Sequence, residues 1–220
     1  MNAKQPPAAR MEHRFPALLL TLVVLSLYVV LPNPVTFLPP WLIPLIALIV
    51  LTPIVLANPR RLSRETSWSR WAGVAFAVGL ATLNQAYIVL TIVRLINGKL
   101  DGPSVLLTAL GVWITDVIAF ALVYWEIDKG GPVARRIGGL RDDAQRDFRF
   151  PQQDEDDYSG PPWHPSFFDY AYFSLSNMMA FSPTDAMPLT LRAKGLMAYQ
   201  ALTGFVILAL VISRAVNILT

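Results

Sequence analysis

Residues Ser104–Trp125, SVLLTALGVWITDVIAFALVYW, form an apolar run with one charged side chain, Asp116, near its centre. A helix needs about 20 predominantly apolar residues to cross a hydrocarbon core about 30 Å thick. The run therefore predicts a membrane-spanning helix that carries a carboxylate at mid-depth.

Four further apolar runs lie along the chain, at Pro16–Leu31, Trp41–Ala57, Trp71–Ile96 and Leu191–Leu219. Of the 220 residues, 54% are hydrophobic and 15% are charged, and the mean hydropathy is +0.46. This composition excludes an ordinary soluble enzyme. We expect an all-α, polytopic membrane helix bundle with five transmembrane helices.

A sixth hydrophobic segment, Pro165–Phe181, is aromatic and only moderately apolar, with Asp169, Ser174 and Asn177 inside it. Two interpretations remain open. The segment is either a re-entrant helix, which enters and leaves the membrane on one side, or a sixth spanning helix before the last span.

The chain is expected to have four parts. Residues 1–15 form a cytoplasmic N-terminal segment and residues 16–126 a four-helix membrane region. Residues 127–163 are rich in Gly, Pro, Asp and Arg, and we expect a charged, solvated loop there. Residues 164–220 hold a pore-like helix, a polar turn and the final transmembrane helix.

The basic residues mark one side of the membrane. Residues 58–70, between the second and third spans, carry four arginines against the single acid Glu65; they are Arg60, Arg61, Arg64 and Arg70. By the positive-inside rule this loop, the N-terminus and the basic 127–163 loop lie in the cytoplasm. We therefore attribute the net charge of +3 to membrane topology. We expect the lipid bilayer as a partner, and we expect no binding of nucleic acid.

Several kinds of chemistry have no support in the sequence. Cysteine is absent, and the two histidines, His13 and His164, are not at ligand spacing, so we expect no metal and no cofactor. An intramembrane carboxylate pair of Asp116 with Asp185 or Asp169 would lack any supporting motif. We expect that the protein is not an enzyme.

The third and fourth spans form an antiparallel hairpin whose turn centres near Leu100. Mirroring about that turn places Asp116 level with Asn84, and Thr115 level with Gln85. We therefore predict a polar cluster of Asp116, Asn84 and Gln85 at mid-depth. One interpretation is an ion or proton site, because ionisable groups in the membrane are costly and usually functional. The other is an interhelical hydrogen bond worth about 0.6 kcal/mol that only fixes packing.

A polar turn follows the aromatic segment. Proline removes a backbone donor, and Ser, Thr and Asp side chains favour turns, so residues 182–185, SPTD, end any helix there. A half-helix, a polar turn and then a full span is the order of a re-entrant pore module. On this hypothesis Ser182, Thr184 and Asp185 form a pore constriction. The last span has small residues suited to close helix packing, with Gly195 and Gly204 as the candidate contact positions.

Residues 172–188, YFSLSNMMAFSPTDAMP, and 191–216, LRAKGLMAYQALTGFVILALVISRAV, resemble the pore helix, filter and inner helix of tetrameric potassium channels. The resemblance implies a homo-oligomer, a tetramer, with the filter at Ala180–Thr184, its terminal acid at Asp185 and the inner-helix glycine at Gly204. Neither filter glycine is present and Pro183 restricts φ, so potassium selectivity is not implied. In that family the pore loop faces outside, whereas the charges here place residues 127–163 inside.

A second resemblance covers more of the chain. The order WITDVIAFALVYWEIDKGGP at 113–132, DFRFP at 147–151 and the segment from Asp169 onward is similar to a family of bacterial inner-membrane proteins of unknown function. The resemblance implies a multi-pass protein of the bacterial inner membrane with the same helix order. It implies no activity.

The leading hypothesis is an ion-conducting or ion-translocating membrane protein, with a monovalent cation or a proton as the transported species. The alternative is a non-conducting scaffold or accessory subunit that binds a partner through residues 127–163. The two hypotheses differ in whether Asp116 is needed for flux or only for packing.

Overall fold

The structure, a computed structural model, describes residues 12–30, 39–57, 67–96, 102–137, 146–153, 163–179 and 186–219. Within these ranges there are seven α-helices and two short strands. The elements are α1 (Phe15–Val30), α2 (Leu42–Ala57), α3 (Ser67–Ile96), α4 (Gly102–Ile127), α5 (Pro132–Ile137), β1 (Phe148–Arg149), α6 (Phe167–Met178), β2 (Met187–Pro188) and α7 (Leu191–Leu219).

Three helices, α3, α4 and α7, are long and apolar enough to cross a membrane. The helices α1 and α2 are also apolar but have 16 residues each, which corresponds to about 24 Å of helix. The chain is thus a helical membrane protein, in agreement with the prediction from its composition. The length criterion supports three of the five predicted spans.

The central element is α4. In its membrane-crossing window 72% of the residues are buried, against 39% in α3 and 22% in α7, because α1, α3, α6 and α7 all contact it. Its second half packs an aromatic cluster in which the rings of Tyr124, Phe148 and Phe173 have centroids 5.1 to 5.3 Å apart. Ala119 and Ala121 are fully buried, and their small size lets the neighbouring helices approach.

One end of the bundle, here called the basic end, gathers the start of α1, the end of α2, the start of α3, the end of α4 and the start of α7. An Arg14 guanidinium nitrogen donates to the Ile54 carbonyl at 2.6 Å, and Glu126 lies over Gly73. An Arg192 nitrogen reaches the Ile127 carbonyl at 3.4 Å. The first contact joins α1 to α2, and the other two join α4 to α3 and α7. The Trp125 indole N–H also donates to a Glu12 carboxylate oxygen at 3.2 Å, which links the end of α4 to the residues just before α1.

The helix α4 ends in a tight turn at this basic end. Lys129, Gly130 and Gly131 all have positive φ, at 45°, 79° and 103°, which glycine adopts without steric cost. Pro132 then begins α5, a position where its missing N–H is not needed. Farther along, β1 pairs antiparallel with β2, with Phe148 opposite Pro188 and Arg149 opposite Met187.

The described part of residues 127–163 is only partly solvated, in contrast to the predicted solvated loop. Arg146, Arg149 and Gln152 are exposed, whereas other residues are buried near the ends of α4 and α6, among them Asp128, Val133, Arg135, Asp147, Phe148 and Phe150. The charged residues in the sequence suggested solvent, but buried ionisable groups are stable when they are hydrogen-bonded and paired. Both acids in this set have such partners.

The path of α6 shows how the aromatic segment enters and leaves the bundle. The Phe167 N–H donates to a Glu12 carboxylate oxygen at 2.6 Å at the basic end. The helix then runs inward, antiparallel to α4, until the Ser174 hydroxyl meets the Val117 carbonyl at 2.7 Å. By Met187 the chain pairs with β1, back at the basic end. The 12 residues of α6 measure about 18 Å, too short to cross a membrane.

The two glycines predicted to pack α7 have different surroundings. A Cβ on Gly204 would overlap the Met178 carbonyl oxygen, so α6 and α7 touch backbone to backbone at this point. A Cβ on Gly195 would meet no described atom within 4 Å. The structure gives a packing role to Gly204 and none to Gly195, because Gly195 lies on the outward face of α7.

Candidate functional site

Asp116 lies at the centre of the bundle with no exposed surface. One of its carboxylate oxygens, Oδ1, accepts hydrogen bonds from Asn84 Nδ2 at 2.8 Å and from Gln85 Nε2 at 2.7 Å. The other oxygen, Oδ2, is buried without a hydrogen-bond partner among the described residues. The site therefore has one acceptor position that no described residue uses.

The surrounding side chains hold Asn84 and Gln85 in place. The Asn84 carbonyl oxygen accepts hydrogen bonds from the Tyr28 hydroxyl at 3.0 Å and the Thr115 hydroxyl at 2.6 Å. The Gln85 carbonyl oxygen accepts one from the Tyr199 hydroxyl at 3.1 Å. Since Tyr28 belongs to α1 and Tyr199 to α7, four helices contribute to this polar network.

The structure brings Asp116, Asn84 and Gln85 together, as mirroring about Leu100 predicts. It differs in one pairing, because Thr115 bonds Asn84 and not Gln85. Two facing helices twist about each other, so a planar mirror identifies the level of a residue but not its neighbour. Both amides consequently converge on the single carboxylate.

A second buried network lies between α4, α6 and α7, centred on Gln200. Its side-chain oxygen accepts hydrogen bonds from the Tyr124 hydroxyl at 2.7 Å and from Asn177 Nδ2 at 2.8 Å. Its amide nitrogen donates to the Ser174 hydroxyl at 2.7 Å. The network attaches the inner part of α6 to both neighbouring helices.

At the basic end, two buried aspartates tie the β-strands to the helices. Asp128 Oδ1 accepts from the backbone N–H groups of Asp147 and Phe148 at 2.8 and 3.1 Å. Asp147 in turn accepts hydrogen bonds from the Thr190 hydroxyl at 2.5 Å and from Arg192 Nε at 2.7 Å. These bonds fix β1 to the end of α4 and the start of α7.

Tyr170 connects α6 to the same cluster. Its hydroxyl donates to Asp128 Oδ2 at 2.5 Å, and the Arg135 guanidinium carbon lies 4.9 Å from its ring centroid. Burial is the main cause that raises the pKa of Tyr170 well above its ordinary value, and Asp128 raises it further. The hydroxyl thus remains a proton donor to Asp128 at neutral pH.

The predicted constriction residues Ser182, Thr184 and Asp185 lie outside the described residues, as does the whole filter region, Ala180–Thr184, implied by the potassium-channel resemblance. Asp169, considered as a partner for Asp116, serves instead as the capping acid of α6. Its Oδ2 accepts from the Ser166 N–H and hydroxyl, both at 2.7 Å. The described residues therefore give no support to a pair between Asp116 and Asp169.

Sequence reasoning missed the partners contributed by α1, α7 and the N-terminus. Tyr28, Tyr199 and Gln200 carry no motif, and their bonds to α3 and α4 join residues 56 to 114 positions apart. Gln200 had one usable signal, since it shares an α7 face with the buried residues Ala193 and Met197. A polar side chain on a buried helix face requires a hydrogen-bond partner.

Within the described ranges, no group of three or more His, Cys, Asp or Glu side chains is placed to hold a metal ion. Comparisons with protein-family models, with curated proteins and with solved structures found no match to this chain.

Proposed function

We propose that this protein is an ion-translocating membrane protein in which Asp116 binds and releases the transported ion. The observation that carries the proposal is the fully buried carboxylate with one oxygen held by two amides and the other left open. A carboxylate in an apolar interior is costly unless it is protonated or bound to a cation. The open oxygen is the position where that proton or cation would sit.

The coordination favours a proton over a dehydrated metal cation. Cations in membrane sites replace their hydration shell with several oxygens. Here Asp116 Oδ2 accepts no hydrogen bond from a described residue. Asn84 Oδ1 is already occupied, because it accepts hydrogen bonds from Tyr28 and Thr115. A proton needs one acceptor, and the present arrangement supplies it.

The network also suggests how the ion reaches the site. Tyr199 is 50% exposed on the outward face of α7 and bonds Gln85, which bonds Asp116. A movement of this tyrosine and amide would open a short path from the α7 face to the carboxylate. In a homo-oligomer, a tetramer on the potassium-channel resemblance, the outward face of α7 would line the central path.

The proposed architecture in the bacterial inner membrane has five spans, with α1 and α2 crossing despite their shorter length, and α6 as a re-entrant helix. By the positive-inside rule, the arginines favour a cytoplasmic location for the basic end. The re-entrant module would then enter from the cytoplasmic side, inverted relative to a potassium channel. Ser182, Thr184 and Asp185 would form its constriction.

A second candidate function is a non-conducting scaffold. The observation that favours it is that the interhelical bonds of Asn84, Gln85 and Gln200 join the three long helices α3, α4 and α7. Such bonds can serve packing alone at about 0.6 kcal/mol each. In that case the exposed parts of residues 127–163 would dock a partner, and Asp116 would be dispensable for any flux.

The test is ion flux into liposomes containing the purified protein, with proton, potassium and sodium gradients imposed separately. Asp116→Asn keeps the shape and the hydrogen-bond acceptor but cannot ionise. We expect it to lower flux by about tenfold or more, equivalent to at least about 1.4 kcal/mol of barrier. Asp185→Ala tests the constriction in the same assay.

Thr91→Val is the matched control, since Thr91 is buried in α3 and, among the described residues, its hydroxyl bonds the Tyr87 carbonyl of its own helix and lies outside the Asp116 network. Its flux should equal that of the native chain. Absence of flux in the native protein under all three gradients would favour the scaffold. Undiminished flux in folded Asp116→Asn would remove Asp116 from the mechanism.

A further inference from the structure

A small apolar cavity lies between α3, α4 and α7, beyond Asp116 toward the end of the bundle where α3 ends and α4 begins, here called the far end. Its volume is about 20 Å³, which is space for about one water molecule. Val112, one helical turn before Asp116, lines it from α4, and Ile88, one turn after Asn84, lines it from α3. Because α3 runs away from the basic end and α4 runs back toward it, both lining residues lie on the far side of the carboxylate.

The lining of the cavity does not attract water. It consists largely of aliphatic side chains from all three helices, including Ile88, Val112 and Ile207. Thr91 is the one polar residue among the described lining residues, and its hydroxyl donates to the Tyr87 carbonyl within α3, so Thr91→Val would leave the lining apolar. Cavities without polar partners stay dry, and hydrophobic constrictions close a pathway by excluding water.

The two sides of Asp116 differ in how α4 is packed. On the basic side, residues 117–125 of α4 are all buried, and the aromatic cluster described above packs beside them. On the far side, Leu107 and Leu110 are 59% and 55% exposed. The helix is thus enclosed on every face between Asp116 and the basic end, but only partly covered between Asp116 and the far end.

Translocation through a buried carboxylate requires two openings, used in turn, to the two sides of the membrane. The path by way of Tyr199 on the outward face of α7 supplies one of them. The cavity is placed to supply the other, because its residues Ile88, Val112 and Ile207 pack in one buried cluster with Val117, the residue next to Asp116. The cluster separates the carboxylate from the far end.

We propose that Ile88, Val112 and Ile207 form a hydrophobic gate, and that water entering the cavity between them lets Asp116 exchange a proton with the far end. The inference rests on the proposed function, because it names the route by which the same carboxylate reaches one side of the membrane. A movement of α7 away from α3 and α4 would open the gate. This helix is suited to move, since its membrane-crossing window is the least buried of the three.

The first test is labelling of single cysteines in oriented vesicles with a membrane-impermeant, cationic methanethiosulfonate. Val112→Cys places a thiol in the gate, where it reacts only if water admits the reagent and ionises the thiol. Val123→Cys is the matched control, because it is the same change at a buried position, about three turns along the same face of α4 on the basic side of Asp116. Leu189→Cys, exposed at the basic end, identifies the orientation of the vesicles.

We expect Val112→Cys to react from the far side only, and Val123→Cys from neither side. Adding Ile207→Ser, which shortens a gate side chain and supplies a polar partner for water, should speed the labelling of Val112→Cys about tenfold. Ile54→Ser, the same change at a buried position of α2, should leave the rate unchanged. Absence of labelling at Val112→Cys, labelling from the basic side, or equal rates with and without Ile207→Ser would each overturn the gate. If Ile207→Ser does not fold, the side from which Val112→Cys reacts decides alone.

Proton flux into liposomes separates this proposal from the proposed function. We expect Ile207→Ser to raise flux in the native chain but not in Asp116→Asn. Flux that depends on Asp116, together with an unreactive Val112→Cys, would overturn the gate and leave the carboxylate site in place. Labelling as expected, together with undiminished flux in Asp116→Asn, would overturn the role of Asp116 and leave the water path in place.

Discussion

Gly204, whose side chain is a single hydrogen atom, allows α6 and α7 to approach each other closely. Any Cβ at this position would meet the Met178 carbonyl oxygen, which is backbone and cannot rotate away. Gly195, nine residues earlier in the same helix, has open space around it. The same substitution can therefore be compared within one helix, at a glycine that packs against α6 and at a glycine where no described atom lies within 4 Å of an added Cβ.

We expect Gly204→Ala to destabilise the protein by about 1–3 kcal/mol, because it forces α6 and α7 apart. Gly195→Ala should be neutral or more stable by up to about 1 kcal/mol, since alanine favours a helix more than glycine does. Thermal unfolding of both variants in the same detergent measures the difference. Equal melting temperatures would show that the close contact is absent in the folded protein.

At the scale of elements, α6 is held at two levels. Near its start, Tyr170 donates to Asp128, and near its end Asn177 donates to Gln200. The first contact involves a charged acceptor, and hydrogen bonds to charged groups are the stronger kind. The start of α6 is thus attached firmly to the end of α4.

The raised pKa of Tyr170 predicts a loss of stability at alkaline pH. Above about pH 10, the ordinary pKa of tyrosine, the unfolded chain releases this proton while the folded chain retains it. Stability therefore falls with rising pH until the folded pKa is reached. Tyr170→Phe should weaken this alkaline fall, and at neutral pH should cost about 1–3 kcal/mol by leaving Asp128 Oδ2 without its donor.

The measurement is the unfolding midpoint in denaturant between pH 8 and 11.5. Tyr172→Phe, at an exposed position of the same helix, is the control for the loss of a tyrosine hydroxyl. If native protein and Tyr170→Phe lose stability in parallel over this range, the hydrogen bond from Tyr170 to Asp128 does not control alkaline stability.

At the scale of the whole molecule, the described contacts place the residues before and after α6 at the basic end. Gln152 precedes α6 and Leu189 follows it, and both are exposed. Since the chain has no cysteine, single cysteines at these positions can be labelled without background.

We expect Gln152→Cys and Leu189→Cys to react with a membrane-impermeant maleimide from the same side of the membrane. A reporter fused after Thr220 should lie on the opposite side, because α7 starts at the basic end and crosses once. Inside-out and right-side-out vesicles provide the two orientations. Labelling of the two cysteines from opposite sides would mean that residues 164–181 span the membrane.

The sequence by itself determined the class of protein and the level of Asp116. Few soluble folds can bury several long apolar runs. A hairpin of two helices brings residues at equal distances from its turn to the same depth. Asn84, Gln85 and Asp116 could be found in this way because α3 and α4 are adjacent in the chain. The small residues of α7 were visible too, but the sequence could not tell which of them faces a neighbour.

Only the tertiary structure decided the remaining contacts. The roles of Tyr28, Tyr199 and Gln200, the buried position of Asp128 and Asp147, and the return of the chain to the basic end after α6 all depend on elements far apart in sequence. Helical periodicity describes one helix at a time and contains no information on the order in which non-adjacent helices pack. A charged loop sequence likewise suggests exposure to solvent, because the sequence does not show the hydrogen bonds that make burial favourable in the folded protein.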